Sequence, residues 1–101
     1  MHLTLRQLTI FAQAARRSSL TRAAEDLHLS QPAVSMQIKQ LENAVGMPLF
    51  DRAGKGLRLT EAGRELERYS REIIAKVEEI SEVMDEIKGL KRGALSIAVA
   101  T

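Results

Sequence analysis

From residue 61 to residue 88 the chain carries one helical pattern with charge over most of its surface and a single apolar seam, Leu66, Ile73, Val77, Ile80, Met84 and Ile87. From Ile73 onward the spacing is four, three, four, three, the pattern of a coiled coil. At 1.5 Å per residue such a helix runs about 42 Å, longer than a small domain needs. The rest of a 101-residue chain cannot wrap it, so its seam must be covered from outside. Tyr69 widens the seam and Ser70 interrupts it. Large aliphatic side chains left in water forfeit roughly 1.5–3 kcal/mol each. Leu66, Tyr69, Ile73, Val77, Ile80, Met84 and Ile87 therefore read as a homodimer interface. The competing reading packs the seam against a further domain.

About sixty residues remain for a folded body, a size at which a single core is already marginal. Aromatic residues are few, Phe11, Phe50 and Tyr69, so the core must be aliphatic, which suits packed helices. The chain has no cysteine, which leaves no disulfide framework and no thiolate metal site, and fits a reducing cytosol. Net charge is only +2, but residues 1–60 hold eight Lys/Arg against four Asp/Glu, and residues 61–101 hold seven against nine. The first half is the half that attracts an anionic partner.

Short-range signals divide residues 1–60 into helices. Thr4 and Gln7 have capping-box spacing, and Leu3 with Leu8 can form a hydrophobic staple. Leu5, Leu8, Phe11, Ala12 and Ala15 then recur at helical spacing. Ser19 caps a second helix whose inner stripe is Leu20, Ala23, Ala24 and Leu27. His28 falls in a tight turn, where histidine tolerates positive φ better than most residues. Ser30 caps a third helix over residues 31–45, with Pro32 in its first turn and Gly46 as a left-handed C-cap. Residues 49–60 read as two short strands around a Gly-Lys-Gly tip, and Thr60 caps the long helix. Gly89 and Gly93 are expected to end it, and "LSIAVA" to form a buried strand.

Two helices joined by a short turn and followed by strand–turn–strand give a mainly α fold. It is a winged helix-turn-helix, three helices plus a two-stranded wing, followed by a long dimerisation linker helix. The expected division is 1–60 for the winged body, 61–89 for the linker helix, and 90–101 for a hinge and the first strand of a further domain. In this arrangement the helix over 31–45 presents its N-terminal residues to base edges in the major groove. Its outer face carries Gln31, Pro32, Ser35, Met36 and Lys39, with no acid before Glu42. Gln and Ser can donate to and accept from a base, and Pro and Met can touch a thymine methyl. Gln31, Pro32, Ser35 and Met36 are thus the base-contacting candidates. Thr21, Arg22, Ser30, Lys39, Arg52, Lys55 and Arg58 are candidates for the phosphate backbone. Lys55, between Gly54 and Gly56, is the expected contact of the wing tip.

A polar face on a short helix is usually just solvated, but the turn, the capped helix, the basic wing and the acid-free face together favour double-stranded DNA as partner. Arg6, Arg16 and Arg17 are as well read as ordinary surface charges, and Met36 as a partner contact. No paired His and Asp accompany a nucleophile, no metal ligands cluster, and "GKG" lacks phosphate-loop spacing. The chain is expected not to be an enzyme and to hold no cofactor. No apolar run approaches the roughly twenty residues of a membrane span, and the N-terminus lacks a signal-peptide pattern, so a cytoplasmic protein is expected. A helical adaptor and a sequence-blind nucleoid-type binder are the alternatives. The adaptor predicts association without preference among duplexes; the nucleoid-type binder would gain most from added Lys and Arg.

"SLTRAAEDLHLSQPAVSMQIKQLENAVGMPLFDR", followed by "LTEAGREL", resembles the N-terminal DNA-binding domain of LysR-type transcriptional regulators. The resemblance covers essentially the whole chain, and "HLSQPAVSMQIKQLE" is similar to regulators of carbon-dioxide-fixation operons, the CbbR type. It implies antiparallel linker helices that place two reading helices in successive major grooves of an interrupted palindrome. It also implies a tetramer for the full-length protein, and a small-molecule effector held by a C-terminal domain beginning at "LSIAVA". Positions corresponding to Gln31, Pro32, Ser35 and Met36 approach bases in the family. Many relatives carry arginine where this chain has Met36, which implies a different base preference there.

Overall fold

Thr4 opens the first helix, α1 (Leu5–Arg17), through the capping box its spacing predicts. The Gln7 N–H donates to Thr4 Oγ1 at 3.1 Å, and the Thr4 N–H donates to Gln7 Oε1 at 3.0 Å. α2 (Leu20–Leu27) begins at Ser19, whose hydroxyl accepts from the Arg22 N–H at 3.2 Å. α3 (Gln31–Val45) begins at Ser30, which accepts from the Ala33 N–H at 3.2 Å, and ends at Gly46 with φ 85°. A two-stranded antiparallel wing follows, β1 (Phe50–Asp51) and β2 (Arg58–Leu59), with Phe50 opposite Leu59 and Asp51 opposite Arg58. α4 (Glu61–Ala100) completes the chain. This computed structural model describes residues 1–51 and 56–100, with side chains up to residue 89. Arg52, Lys55 and the Gly-Lys-Gly tip through Gly54 and Lys55 lie outside the described residues.

The core is aliphatic, as the composition requires, with one aromatic pair at its centre: the Phe11 and Phe50 rings, 5.3 Å apart and tilted at 56°. Around them lie Leu8, Ile10, Ala14, Ala23, Ala24, Val34, Ile38, Leu41 and Leu49. The buried face of α1 differs from the expected one. Ile10 and Ala14 are buried, Leu5 is exposed, and Ala12 and Ala15 are half-buried. The helix touches α2, α3 and α4, so its burial is set by three neighbours rather than by its most regular apolar stripe. Ala23 and Ala24, with no more than a methyl group each, let α2 lie close to its neighbours.

The structure corrects two expectations for α4. By spacing, Ser70 interrupts an exposed seam; in the fold it is wholly buried, and its Oγ has no hydrogen-bond partner among the described residues. Leu66, Gly63 and Ala62 lie on the same inner turns, so the first ten residues of the helix close the core and only the remainder projects. The second correction concerns the far end. The helix does not stop at Gly89 but passes through Gly89 and Gly93 to Ala100, and "LSIAVA" is helical rather than extended. A strand without a neighbour leaves its N–H and C=O groups unpaired, whereas a helix pairs its own. Two helical glycines at about 1 kcal/mol each do not outweigh that. The molecule measures 68 × 27 × 19 Å, its long dimension that of α4.

Candidate nucleic-acid interface

The turn between α2 and α3 is built without glycine. His28 takes the left-handed conformation at φ 57°, and its N–H donates to the carbonyls of Ala24 and Glu25. The Leu29 N–H donates to Ala24 O at 2.9 Å. This doubled closure leaves only residues 28–30 between the helices and fixes the angle at which α3 leaves the body. Val34, Ile38 and Leu41 anchor α3 from below with no exposed surface.

The opposite face is open. Gln31 and Pro32 are exposed at its N-terminal end, Ser35 is half-buried beside them, and Met36 is 57% exposed. Ser30 and Lys39 extend the same exposed surface. No acidic side chain stands in the first turn of α3, and the helix N-terminus adds its own partial positive charge. Thr21 and Arg22 are exposed on the first turn of α2, and Arg58 on β2.

Ion pairing separates two sets of basic residues. Arg22, Lys39 and Arg58 form no ion pair among the described residues. Arg68 pairs with Glu65 and Glu72, Arg71 with Glu67, and Lys76 with Glu79 along α4. Arg17, an ordinary surface charge by sequence, bridges helices instead: its Nε lies 3.1 Å from Asp26 Oδ2, which also accepts from Gln13 Nε2 at 2.7 Å. The unpaired bases are thus those on α2, α3 and the wing, around the acid-free face.

Three positioning residues escape a reading of the sequence alone. Glu42 Oε2 accepts from the backbone N–H groups of Leu49 and Phe50, at 2.7 and 3.4 Å, and so ties α3 to the first wing strand. Thr60 donates through its N–H to Leu49 O and through its hydroxyl to Pro48 O. Gly63 lies directly under the Leu49 carbonyl, where a side chain would overlap that oxygen. Of the three only Gly63 leaves a signal: glycine inside a helix is unfavourable enough to need a reason.

Along α4 the expected seam is present but divided. Leu66 packs partly on the core, while Tyr69, Ile73, Val77, Ile80, Met84 and Ile87 are between 40% and 58% exposed. The Arg68 guanidinium lies 4.3 Å over the Tyr69 ring. Hydrogen bonding to Tyr69 and then to Glu65 raises its already high pKa, so it stays charged.

Residues 5–64 match the sequence family described as bacterial regulatory helix-turn-helix protein, lysR family. The chain belongs to the LysR family. The match runs from the start of α1 into the first turn of α4 and so takes in the turn, the reading helix and the wing. It is the DNA-binding part of a regulator, not a catalytic module. The LysR chain is 57% identical over its whole length to the RuBisCO operon transcriptional regulator of Allochromatium vinosum, and covers 33% of that protein. It is 48% identical over 97 residues to the HTH-type transcriptional regulator CfxR of Cupriavidus necator, covering 31% of it. The chain thus spans about a third of the length of the curated relatives it matches, and these place it in the CbbR-type branch. Among solved structures it superimposes on the BenM DNA-binding domain in complex with catB site 1 DNA. The TM-score is 0.81 at 28% identity, over 84% of this chain and 94% of that one.

Proposed function

We propose that this LysR chain reads a double-stranded operator as a dimer and so directs transcription, with α3 in the major groove. The observation that supports this most directly is the acid-free, outward face of α3, ringed by basic side chains with no acid of their own. Gln31, Pro32, Ser35 and Met36 contact bases in this reading. Thr21, Arg22, Ser30, Lys39 and Arg58 contact phosphates, with Arg52 and Lys55 of the wing assigned the same role from sequence. Met36 brings a thioether to the base edges where many relatives carry a guanidinium, so this position favours a thymine methyl over a guanine. The relatives regulate RuBisCO operons, and an operator ahead of carbon-fixation genes is the corresponding target for this chain.

The rest of the proposal concerns the whole protein. Tyr69, Ile73, Val77, Ile80, Met84 and Ile87, with Leu66 at the inner end, form the dimer seam. In a protein of the relatives' length, residues 90–101 lead into the remaining two thirds, where a small-molecule effector binds and a tetramer is assembled. No helix among the described residues is long and apolar enough to cross a membrane, and a DNA reader of this kind works in the cytoplasm.

The test is fluorescence anisotropy on two duplexes at several salt concentrations, one an A/T-flanked interrupted palindrome, the other the same bases shuffled. A preference of about 4 kcal/mol or more, with two chains bound per site, is expected of a specific regulator. Equal affinity for both duplexes refutes base reading by α3.

A further inference from the structure

Beside the first turns of α4 the molecule has an open apolar groove of about 620 Å³, walled by Val45, Met47 and Pro48 on one side and by Ala62, Leu66 and Tyr69 on the other. The groove runs into the exposed seam at Tyr69, so one continuous apolar surface extends from the winged body to Ile87. The spacing of that seam is symmetric. Leu66 and Ile87, Tyr69 and Met84, and Ile73 and Ile80 are each equidistant from the point between Lys76 and Val77. All six fall on one face of the helix at 100° per residue. An antiparallel second copy turned about that point lays each of the six opposite another, with Val77 at the axis beside its own counterpart.

Charge selects the same orientation. Residues 78–86 carry Glu78, Glu79, Glu82, Asp85 and Glu86 and no base, whereas residues 64–76 carry Arg64, Arg68, Arg71 and Lys76 among their acids. Glu78, Glu82, Asp85 and Glu86 have no ion-pair partner among the described residues. Parallel pairing aligns two acidic stretches; antiparallel pairing lays each along the base-bearing half of the other.

We propose that α4 pairs with a second copy's α4 about an axis between residues 76 and 77, and that the groove at Met47, Leu66 and Tyr69 receives Met84 and Ile87 of that copy. This rests on the dimer reading above and fixes its register and the seat of the helix end. The winged body then contributes to the interface through Val45, Met47 and Pro48, and the reading domain is clamped by the second copy's helix as well as by its own.

The natural absence of cysteine makes the register directly testable. Oxidation of a Tyr69→Cys/Met84→Cys chain is expected to give a dimer held by two disulfides, while Tyr69→Cys/Ile80→Cys is not. Sedimentation of the unaltered chain runs alongside. A monomer there refutes the dimer reading itself; a dimer with no cross-link at 69 and 84 refutes only the register. Cross-linking of Met84→Cys alone indicates parallel pairing and overturns the proposal. The groove is tested apart from α4 by Met47→Glu, expected to weaken self-association at least tenfold with the helical signal and melting of the body preserved. Unchanged association removes the groove from the interface. Loss of the folded body is checked by Met47→Leu, for which association as tight as the unaltered chain's is required.

Discussion

Replacing Gly63 with alanine adds one methyl group at the place where α4 passes closest to the wing. The added Cβ would overlap the Leu49 carbonyl oxygen and lie 2.9 Å from Leu59 Cδ2. The leucine side chain can turn aside, but the carbonyl cannot. The Leu49 carbonyl accepts the Thr60 N–H at 3.0 Å, and the Leu49 N–H is held by Glu42 at 2.7 Å. Relief therefore means moving β1 and breaking at least one of these bonds. Overpacking of this kind costs about 1–3 kcal/mol, and a lost bond that strands a buried group adds about 1–3 kcal/mol. Alanine's better helix propensity returns about 1 kcal/mol. The net expectation is a loss of about 2–4 kcal/mol, measured by urea unfolding at fixed chain concentration. A Cβ at Gly89, on the same helix, would meet nothing within 4 Å, so Gly89→Ala should stabilise by about 0.5–1 kcal/mol. If Gly63→Ala also stabilises, the close approach of α4 to the wing is not what holds the two together.

Glu42→Ala should cost about 1–3 kcal/mol, because it leaves the Leu49 N–H without its acceptor; Glu42→Gln, which keeps an acceptor oxygen, should recover most of that in the same unfolding assay. Ser70→Ala removes a buried hydroxyl that has no partner among the described residues, and should raise stability by roughly 1 kcal/mol; destabilisation would mean that the hydroxyl has a role in packing. Ser35→Ala should narrow the affinity gap between operator and shuffled duplex, whereas Lys39→Ala should weaken both about equally and lower the salt slope by about 1. Anisotropy titrations distinguish the two, and equal loss on every duplex for Ser35→Ala would contradict its role at the bases.

Features governed by neighbours in the chain are legible in the sequence. Thr4, Ser19 and Ser30 each cap the helix that follows, His28 takes the positive φ of its turn, and Gly46 ends α3, because capping is decided within a few residues. The acid-free face of α3 is legible for the same reason, being a matter of helical spacing alone. Features governed by distant neighbours are not. Which side of α1 is buried depends on three other helices. Ser70 looks like a polar break in a seam until α4 is seen to close the core with its first turns. Glu42 reads as the first acid on a polar helix, and nothing nearby announces that its carboxylate reaches the backbone seven residues on. The end of α4 escapes because "LSIAVA" suits a strand or a helix equally, and the choice falls to whether a neighbouring strand is there to pair with it.

The junction between wing and α4 contains no hinge. The Thr60 hydroxyl caps α4 through the Gly63 N–H while donating to Pro48, and Arg64 reaches back to the Leu59 carbonyl at 3.2 Å. The helix and the reading head therefore turn as one solid piece, as a key turns with its shank. In a pair of such chains, the separation and tilt of the two heads are dictated by the angle at which the two shanks cross. A small change in that crossing, applied far from any base, shifts both heads along the duplex while leaving each head's interior unaltered.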